Sequence, residues 1–342
     1  KSGRIDGAAS AMDGCIEIVF SFDLADSKWP GNGYGNDAKE YLNSLLALGP
    51  KWDGRWWWPD SSGMLPPVVP GKMGYHANYM SIAWLPRFTE RSGDYLYAGP
   101  CRDAWYKLLE YSYENYALVA CSMMEDGRQS LSGNNGFCGI PGVGWNRFDG
   151  GPTRFQFRIS IDYLLHGDER SLKWAKKLTD FWVDKGAEED ITNIKAGYRF
   201  TTGELYAANV ASTTISGAGV AAMAAGNQKI ADGAWEYCKN YEMGTNCMHN
   251  GATMWGLIIM SGILQPAYYD PENPLGDKNW TIPRRRVERM QVKAGRGAEP
   301  FAMYDVFGRK ISRSPRSPIG SLSPTVVFSR NGDRAYRRLI LE

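Results

Sequence analysis

The sequence predicts a large all-α domain followed by a small, basic β module. Apolar residues recur at helical spacing as far as Leu264, which is the main signal for amphipathic helices. This periodicity ends near Asp270, and short β-like runs follow after residue 300. The charge changes as well, because residues 283–342 hold 14 Lys and Arg against 5 Asp and Glu, whereas the preceding residues hold 25 against 32.

The helical part contains apolar stripes separated by loops that are rich in Gly, Pro, Asn and Asp. In the first stripe, Ile16, Val19 and Phe20 repeat at helical spacing. Pro86 should kink or shift the third helix, because proline lacks the N–H that a helix interior needs. No strand is predicted before residue 300. The stripes predict nine helices, around residues 16–24, 41–48, 76–91, 101–116, 154–166, 171–185, 207–225, 229–241 and 252–264.

The β module is predicted from two short runs, 301–307 and 325–329, and a returning strand at 335–341. Asn331-Gly332 lies between the last two and is a strong hairpin signal. The predicted organisation is therefore a helical domain over residues 1–272, a basic linker over 273–297 and a β module over 298–342.

Composition excludes several classes of protein. A net charge of +2 argues against a nucleic-acid partner, which requires a basic field. The longest apolar run, 252–264, is shorter than the roughly 20 residues of a membrane-spanning helix. The six cysteines form no C-x-x-C pair and there are three histidines, so no metal site is predicted. The cysteines remain open to two interpretations, disulfide bonds or buried thiols.

Two long loops, 51–74 and 127–151, carry many aromatic or glycine residues. Loops of this length in a compact domain are usually functional. The chain has 39 Gly, 13 Trp and 19 Tyr, a composition that suits a cleft in which sugar rings stack on aromatic faces. A large aromatic core is the alternative explanation.

Carboxylates are the leading candidates for chemistry, because Gly-x-Ser-x-Gly, Walker and dinucleotide motifs are all absent. Asp13 precedes the first predicted helix, and Asp149 ends the glycine-rich loop. Either residue could simply cap a helix or a turn. Arg154 and Arg158 follow Asp149 at helical spacing, and a nearby arginine would keep a carboxylate ionised. An ordinary surface ion pair would give the same pattern.

The helical part resembles glycoside hydrolase family 8 over about residues 5–265. One similar segment is Gly7-Ala8-Ala9-Ser10-Ala11-Met12-Asp13-Gly14, followed by a helix that closes on Ala25-Asp26-Ser27-Lys28-Trp29. A second is Phe148-Asp149-Gly150-Gly151, followed by Arg158-Ile159-Ser160-Ile161-Asp162-Tyr163 and Gly167-Asp168. A weaker third segment holds Asn78-Tyr79 and Ser92-Gly93-Asp94.

The resemblance implies an (α/α)6 barrel and an inverting enzyme that cleaves β-1,4-linked glucans, xylans or chitosan without a cofactor. Asp149 matches the family's general base, which activates the attacking water. Asp13 matches the acidic residue that holds the sugar beside the cleaved bond, and Tyr79 matches a cleft tyrosine. The remaining expected substrate contacts are the arginine beside the base, at Arg154 or Arg158, and stacking on Trp56 and Trp57.

The sequence departs from the family pattern in three ways. Cys15 stands where many members carry a second acid, and residues 150–153 contain an insertion after the base. The family's general acid, a Glu in a Ser-Glu-Gly-x-x-Tyr-Gly-Met-like phrase, has no counterpart in the chain. These features predict that the chain is truncated at its N-terminus, lacks the first helical hairpin of the barrel, and has its general acid upstream of Lys1.

The expected function is hydrolysis of internal β-1,4-glucosidic bonds in cellulose or related β-glucans with inversion, by a monomer acting on polysaccharide. Xylanase, mixed-linkage glucanase and chitosanase activities remain alternatives, as does a non-catalytic sugar-binding relative. The segment 302–310, together with 322–328 and 338–341, resembles C-terminal sorting modules of secreted bacterial proteins. It predicts secretion or surface attachment through a secretion machinery, and a plain β accessory domain is the alternative.

Overall fold

The structure, a computed structural model, describes residues 12–48, 76–79, 81–93, 99, 101–120, 123–124, 126–129 and 146–262, and the backbone of four strands after residue 300. The chain divides into two compact units, Lys1–Arg285 and Arg286–Glu342. The division falls within the stretch 273–297 that the sequence predicts as a linker.

Nine α-helices and one β-hairpin make up the regular structure in the described residues of the first unit, with short 3₁₀ turns between them. The helices are α1 (Met12–Lys28), α2 (Tyr34–Leu48), α3 (Leu85–Ser92), α4 (Arg102–Asn115), α5 (Phe155–His166), α6 (Glu169–Asp184), α7 (Ser212–Ala225), α8 (Gln228–Lys239) and α9 (Cys247–Met260). The hairpin pairs β1 (Lys195–Tyr198) with β2 (Leu205–Val210), and the 3₁₀ turns are Ala77–Tyr79, Ile82–Trp84, Pro152–Arg154 and Ile191–Asn193.

Helix α7 lies inside the first unit. Every residue from Ser212 to Ala224 is buried, and the helix packs against α5, α6, α8 and α9. A helix that is apolar or small on all sides has no face suited to water and belongs in an interior. The all-α character predicted for this part of the chain is therefore confirmed.

Glycines allow the helices around α7 to approach closely. A Cβ atom added to Gly219 of α7 would lie 2.5 Å from Ala234 Cβ of α8 and 2.7 Å from Met260 Sδ of α9. A Cβ atom on Gly256 of α9 would lie 2.7 Å from Ser216 Cβ of α7. Such distances are too short for carbon contacts, so the glycines set the helix spacing.

Side-chain caps and left-handed glycines define several helix ends. The Asp168 carboxylate accepts a hydrogen bond from the Arg170 N–H at the start of α6, and Asn227 and Asn246 cap α8 and α9 in the same way. Gly167 and Gly226 follow α5 and α7 with φ values of 66° and 82°, a conformation that glycine adopts without steric cost.

Two helix predictions are wrong in detail. The stretch 207–225 was expected to be one helix, but 207–210 belongs to β2, whose Val210 and Leu205 pair with Lys195 and Tyr198 of β1. Alanine-rich sequence favours a helix locally, and tertiary pairing overrides that preference. Ala211, with φ −129° and ψ 122°, marks the change from strand to helix.

The region 76–91 is not one kinked helix. It forms two 3₁₀ turns followed by α3, with Pro86 in the first turn of that helix. The missing N–H of proline has no cost there, because the first N–H groups of a helix lack partners within it. Pro86 therefore helps to start a helix where the sequence pattern predicts an interruption.

Two antiparallel pairs of strands are described in the second unit. Strand β3 (Met303–Tyr304) pairs with β4 (Lys310–Ile311), and β5 (Thr325–Asn331) pairs with β6 (Arg334–Ile340). Thr325 lies opposite Ile340 and Asn331 opposite Arg334, so residues 332–333 connect the two strands. The hairpin predicted from Asn331-Gly332 is confirmed.

Three cysteines in the described residues are free thiols. Cys101 and Cys238 are buried and Cys247 is exposed. Burial raises the pKa of the Cys238 thiol to about 12 and raises the pKa of Cys101 as well, so both act as small apolar side chains. No helix in the described part of the chain is long and apolar enough to cross a membrane.

The close contact at Gly219 predicts that Gly219→Ala destabilises the helical unit, by about 1–3 kcal/mol, because a rigid methyl would push α7 away from α8. Intrinsic helix propensity has the opposite sign, since Ala is favoured over Gly by up to about 1 kcal/mol. The measurement is the free energy of unfolding in urea. Gly251→Ala in α9 is the matched control, because an added Cβ there has no neighbour within 4 Å. A Gly219→Ala protein as stable as Gly251→Ala would contradict the packing.

Candidate active site

Asp149 is held in place by the hairpin β1–β2. Its neighbour Phe148 is fully buried and exchanges two backbone hydrogen bonds with Tyr198: the Phe148 N–H donates to the Tyr198 carbonyl at 2.7 Å, and the Tyr198 N–H donates back at 3.1 Å. Asn146 adds a second tie, because its amide donates to the Thr201 hydroxyl at 2.6 Å. The loop that carries Asp149 is thus held to the hairpin at Asn146 and Phe148, on the N-terminal side of Asp149.

Arg147 pairs with the Asp149 carboxylate, and the Tyr206 hydroxyl is buried near it without a hydrogen-bond partner among the described residues. Arg147 places Nε at 2.6 Å and Nη2 at 2.5 Å from the same oxygen, Oδ1. The side chains of Arg147 and Asp149 are 14% and 17% exposed, so the pair is shielded from water but still reachable. Burial of its hydroxyl, and then the adjacent Asp149 carboxylate, raise the pKa of Tyr206. Tyr206 therefore stays protonated and presents an O–H group to a negatively charged neighbour.

Asp13 forms the second acidic position. It lies in the first turn of α1 and is 7% exposed. Its Oδ2 atom is 2.8 Å from Arg154 Nη1 and 3.7 Å from Arg158 Nη2. Arg154 Nε also donates to the Gly151 carbonyl at 3.4 Å. Arg154 therefore connects Asp13 of α1 to the loop that carries Asp149.

Glu17 extends this network by one helical turn. Its Oε1 atom accepts from Arg158 Nη1 at 2.6 Å and from the Ser81 hydroxyl at 3.1 Å, and its Oε2 atom accepts from the Trp84 indole N–H at 3.1 Å. Arg158 also donates to the Ser81 hydroxyl. Two carboxylates four residues apart on α1 thus face two arginines four residues apart at the start of α5, which is the spacing of one helix face.

Tyr79 lies against Arg154. The guanidinium carbon is 5.1 Å from the centre of the Tyr79 ring, within the range of a cation–π contact. Tyr79 is buried and follows His76, whose ring centre is 5.3 Å away. The tyrosine predicted for the cleft therefore belongs to the Asp13 side of the site, where it orients Arg154.

The structure refines the roles expected from the sequence. Arg154 and Arg158, one of which was expected beside the base, both contact Asp13, and Arg147 forms the ion pair with Asp149. Asp13 lies within α1 and binds an arginine instead of capping the helix. Trp56 and Trp57 lie outside the described residues.

Sequence reasoning missed Glu17, Arg147 and Tyr206. Glu17 could have been found, because it stands four residues after Asp13 on a predicted helix, opposite the matching Arg154 and Arg158 spacing. Arg147 and Tyr206 carry no such signal, since Arg147 lies in an irregular loop and Tyr206 lies just before the helix predicted over 207–225. Among the residues that the structure describes, no three His, Cys, Asp or Glu side chains cluster as a metal site.

Comparison with known proteins gives the fold and its relatives. The chain matches no family model. It is similar to a curated β-glucanase from Niallia circulans, with 23% identity over 272 residues. The alignment covers 76% of this chain and 63% of the relative. The chain thus covers less than two thirds of that relative.

Several solved structures share the fold. The apo structure of a β-1,3-1,4-glucanase from Paenibacillus sp. X4 matches with a TM-score of 0.63 and 21% identity, over 75% of this chain and 68% of that one. A reducing-end-xylose releasing exo-oligoxylanase matches with a TM-score of 0.59 and 15% identity, covering 78% and 71%. A GH8 xylanase from Teredinibacter turnerae matches with a TM-score of 0.58 and 14% identity, covering 75% and 68%. The relative and these structures are like glycoside hydrolases of family 8, and the predicted (α/α)6 barrel fold of the helical unit is confirmed.

Proposed function

We propose that the chain is a family 8 glycoside hydrolase that cleaves internal β-1,4-glucosidic bonds in a β-glucan with inversion of configuration, with Asp149 as the general base. The observation that carries the proposal is the placement of Asp149. The backbone hydrogen bonds between Phe148 and Tyr198 hold the loop next to Asp149, and Arg147 balances the charge of the Asp149 carboxylate. It is 17% exposed, so a water molecule can reach it.

An inverting glycosidase needs a carboxylate that takes a proton from the attacking water while an acid protonates the leaving oxygen. Arg147 binds Oδ1, and a carboxylate held on one oxygen can use the other to accept the proton. Tyr206 keeps its proton and can stabilise the negative form of Asp149 by donating to it. No segment of this sequence resembles the family's general-acid segment, so the proposal assigns the role of base and leaves the acid unassigned.

Asp13 is proposed to bind the sugar ring beside the cleaved bond. Arg154 and Arg158 keep its carboxylate in one orientation, and Tyr79 in turn positions Arg154. A buried carboxylate fixed in this way accepts hydrogen bonds from sugar hydroxyls without having to be ordered when substrate binds.

The β-glucanase similarity favours glucan as the substrate, and the xylanase structures favour xylan as the second candidate. Product analysis on mixed-linkage β-glucan, carboxymethyl cellulose, xylan and chitosan tests this choice. Release of oligosaccharides from a β-glucan at the highest kcat/KM supports the proposal, whereas preference for xylan or chitosan would assign the chain to another activity of the family.

The second unit is proposed to be a sorting module that directs secretion or surface attachment of the enzyme. Its hairpin of β5 and β6 and its excess of basic residues support an independent small β module. A plain accessory domain is the competing proposal. Deletion of residues 286–342 in the native bacterium separates the two, since only a sorting module is needed for export of the helical unit.

Asp149→Asn should lower turnover at least 10²-fold while leaving polysaccharide binding intact, because the amide keeps the shape of the side chain but cannot accept the proton of water. The readouts are reducing-end release and retardation in native gels that contain β-glucan. Asp126→Asn is the matched control, since Asp126 also pairs with an arginine two residues away, at 3.3 Å, but on an exposed surface. Normal turnover by the Asp149→Asn protein would show that Asp149 is not the general base.

Tyr206→Phe should lower kcat by roughly five- to tenfold and leave KM unchanged, because the buried, unpartnered hydroxyl is then no longer available to donate to Asp149 during turnover, a hydrogen bond worth about 1–1.5 kcal/mol. Tyr113→Phe is the control for loss of a tyrosine hydroxyl away from the site. Tyr113 packs its ring on Trp174, and its substitution should change neither parameter. An unchanged kcat in Tyr206→Phe would show that the hydroxyl does not assist the base.

Asp13→Asn should raise KM and lower stability by about 1–3 kcal/mol, because Arg154 loses a charged partner in a largely buried site. Combined with Arg154→Gln, it should show a coupling energy of about 0.5–3 kcal/mol in a double-mutant cycle of urea unfolding. Asp37→Asn, in the first turn of α2 and exposed, is the control. Additive effects of Asp13→Asn and Arg154→Gln would contradict the described ion pair.

A further inference from the structure

A surface groove lies at the C-terminal end of α8, away from the contacts of Asp13 and Asp149. It has a volume of about 730 Å³ and is lined by Ile191, Gly233, Glu236, Tyr237, Asn240, Tyr241 and Glu242. This volume is in the range of small-molecule sites. None of these residues is used in the proposed mechanism.

The lining of the groove has the chemistry of a carbohydrate site. Tyr237 and Tyr241 stand four residues apart, and their rings lie 6.3 Å apart at 30°, so two neighbouring aromatic rings line the groove. Glu236, Asn240 and Glu242 are exposed at its edges and offer oxygen atoms that accept hydrogen bonds from hydroxyl groups. Flat aromatic area combined with acceptors suits a neutral polyhydroxyl ring. The Glu242 carboxylate disfavours an anionic ring, whereas Glu236 is charge-balanced by Lys239 at 3.3 Å.

The topology places this groove at the same end of the helices as Asp149. Helices α7 and α8 are joined by a short turn at Gly226-Asn227 and so run in opposite directions. The end of α8 therefore lies where α7 begins, directly after β2 and its Tyr206. Ile191, which also lines the groove, lies in the turn that precedes β1.

The start of α9 lies close to the loop that carries Asp149. A Cβ atom on Gly150, the residue after Asp149, would lie 3.8 Å from the Met248 methyl group near the start of α9. Tyr241 precedes Met248 by seven positions, so their Cα atoms are at most about 25 Å apart. A polysaccharide chain of several sugar rings can span this distance.

We propose that the groove of Tyr237 and Tyr241 is an accessory site, outside the catalytic centre, that binds a neutral β-linked polysaccharide. One polysaccharide molecule would occupy the groove and the catalytic centre at the same time. This inference rests on the proposed function for the identity of the polysaccharide. The groove adds a second point of attachment, which increases the effective concentration of the polymer at Asp149. It contributes nothing to short oligosaccharides that occupy the centre alone.

Tyr241→Ala tests the site in the Asp149→Asn protein, where binding is measured without hydrolysis. Native gels that contain mixed-linkage β-glucan or xylan should show a Kd at least about fivefold weaker than that of Asp149→Asn alone, the loss typical of one central aromatic contact. Tyr241→Trp should retain binding, because it keeps an aromatic surface. Trp29→Ala removes an aromatic side chain that is 47% exposed elsewhere and should leave the Kd unchanged.

Kinetics distinguish this inference from the proposed function. With Asp149 intact, Tyr241→Ala should raise KM for the polymer and leave kcat/KM for a trisaccharide unchanged. If Tyr241→Ala loses polymer binding but the protein hydrolyses no glycan, the accessory site is supported and the proposed function is overturned. Unchanged polymer binding in Tyr241→Ala, in a protein that hydrolyses glucan, would overturn the groove alone. Absence of polymer binding by any variant would overturn the groove as well.

Discussion

The ion pairs between α1 and the start of α5 are the interaction on which the candidate site depends. Asp13 and Glu17 on one helix face Arg154 and Arg158 on the other. Charges removed from water are costly unless they meet opposite charges with good geometry, and here each carboxylate has an arginine within 2.8 Å. The distance between the two helices and the rotation of α1 are therefore tied to the position of Asp13.

Asp149 receives its support from a different source. The backbone pair between Phe148 and Tyr198 fixes the loop, and the hairpin that supplies Tyr198 also supplies Tyr206. The hairpin leads directly into α7, the buried helix around which α5, α6, α8 and α9 pack. The two carboxylates thus rest on separate parts of the barrel and meet through Arg154, which contacts Asp13 and the Gly151 carbonyl. This division suits a site in which one acid holds the sugar and the other activates water.

Sequence periodicity was sufficient to predict most helices, because the buried face of a helix repeats apolar residues about every three to four positions. It failed at β1 and β2, because the strands are short, β2 is largely exposed, and neither gives an alternation to detect before the alanine-rich helix. Asp13 and Asp149 were identified by resemblance to a family. Their partners were identified only in part, since the link from Arg154 to Asp13 joins residues 141 positions apart and no local pattern encodes such a contact. The Arg147 pair depends on the loop conformation, which sequence spacing does not specify.

The central claim is that Asp149 activates water for direct displacement at the anomeric carbon. Proton NMR of the first products released from a β-linked glucan tests it most directly, because an inverting reaction gives the α-anomer before mutarotation. The account predicts that the α-anomeric signal rises first in the unsubstituted protein and that Asp149→Asn abolishes it. Initial release of the β-anomer would show a covalent, retaining route and would contradict the role assigned to Asp149.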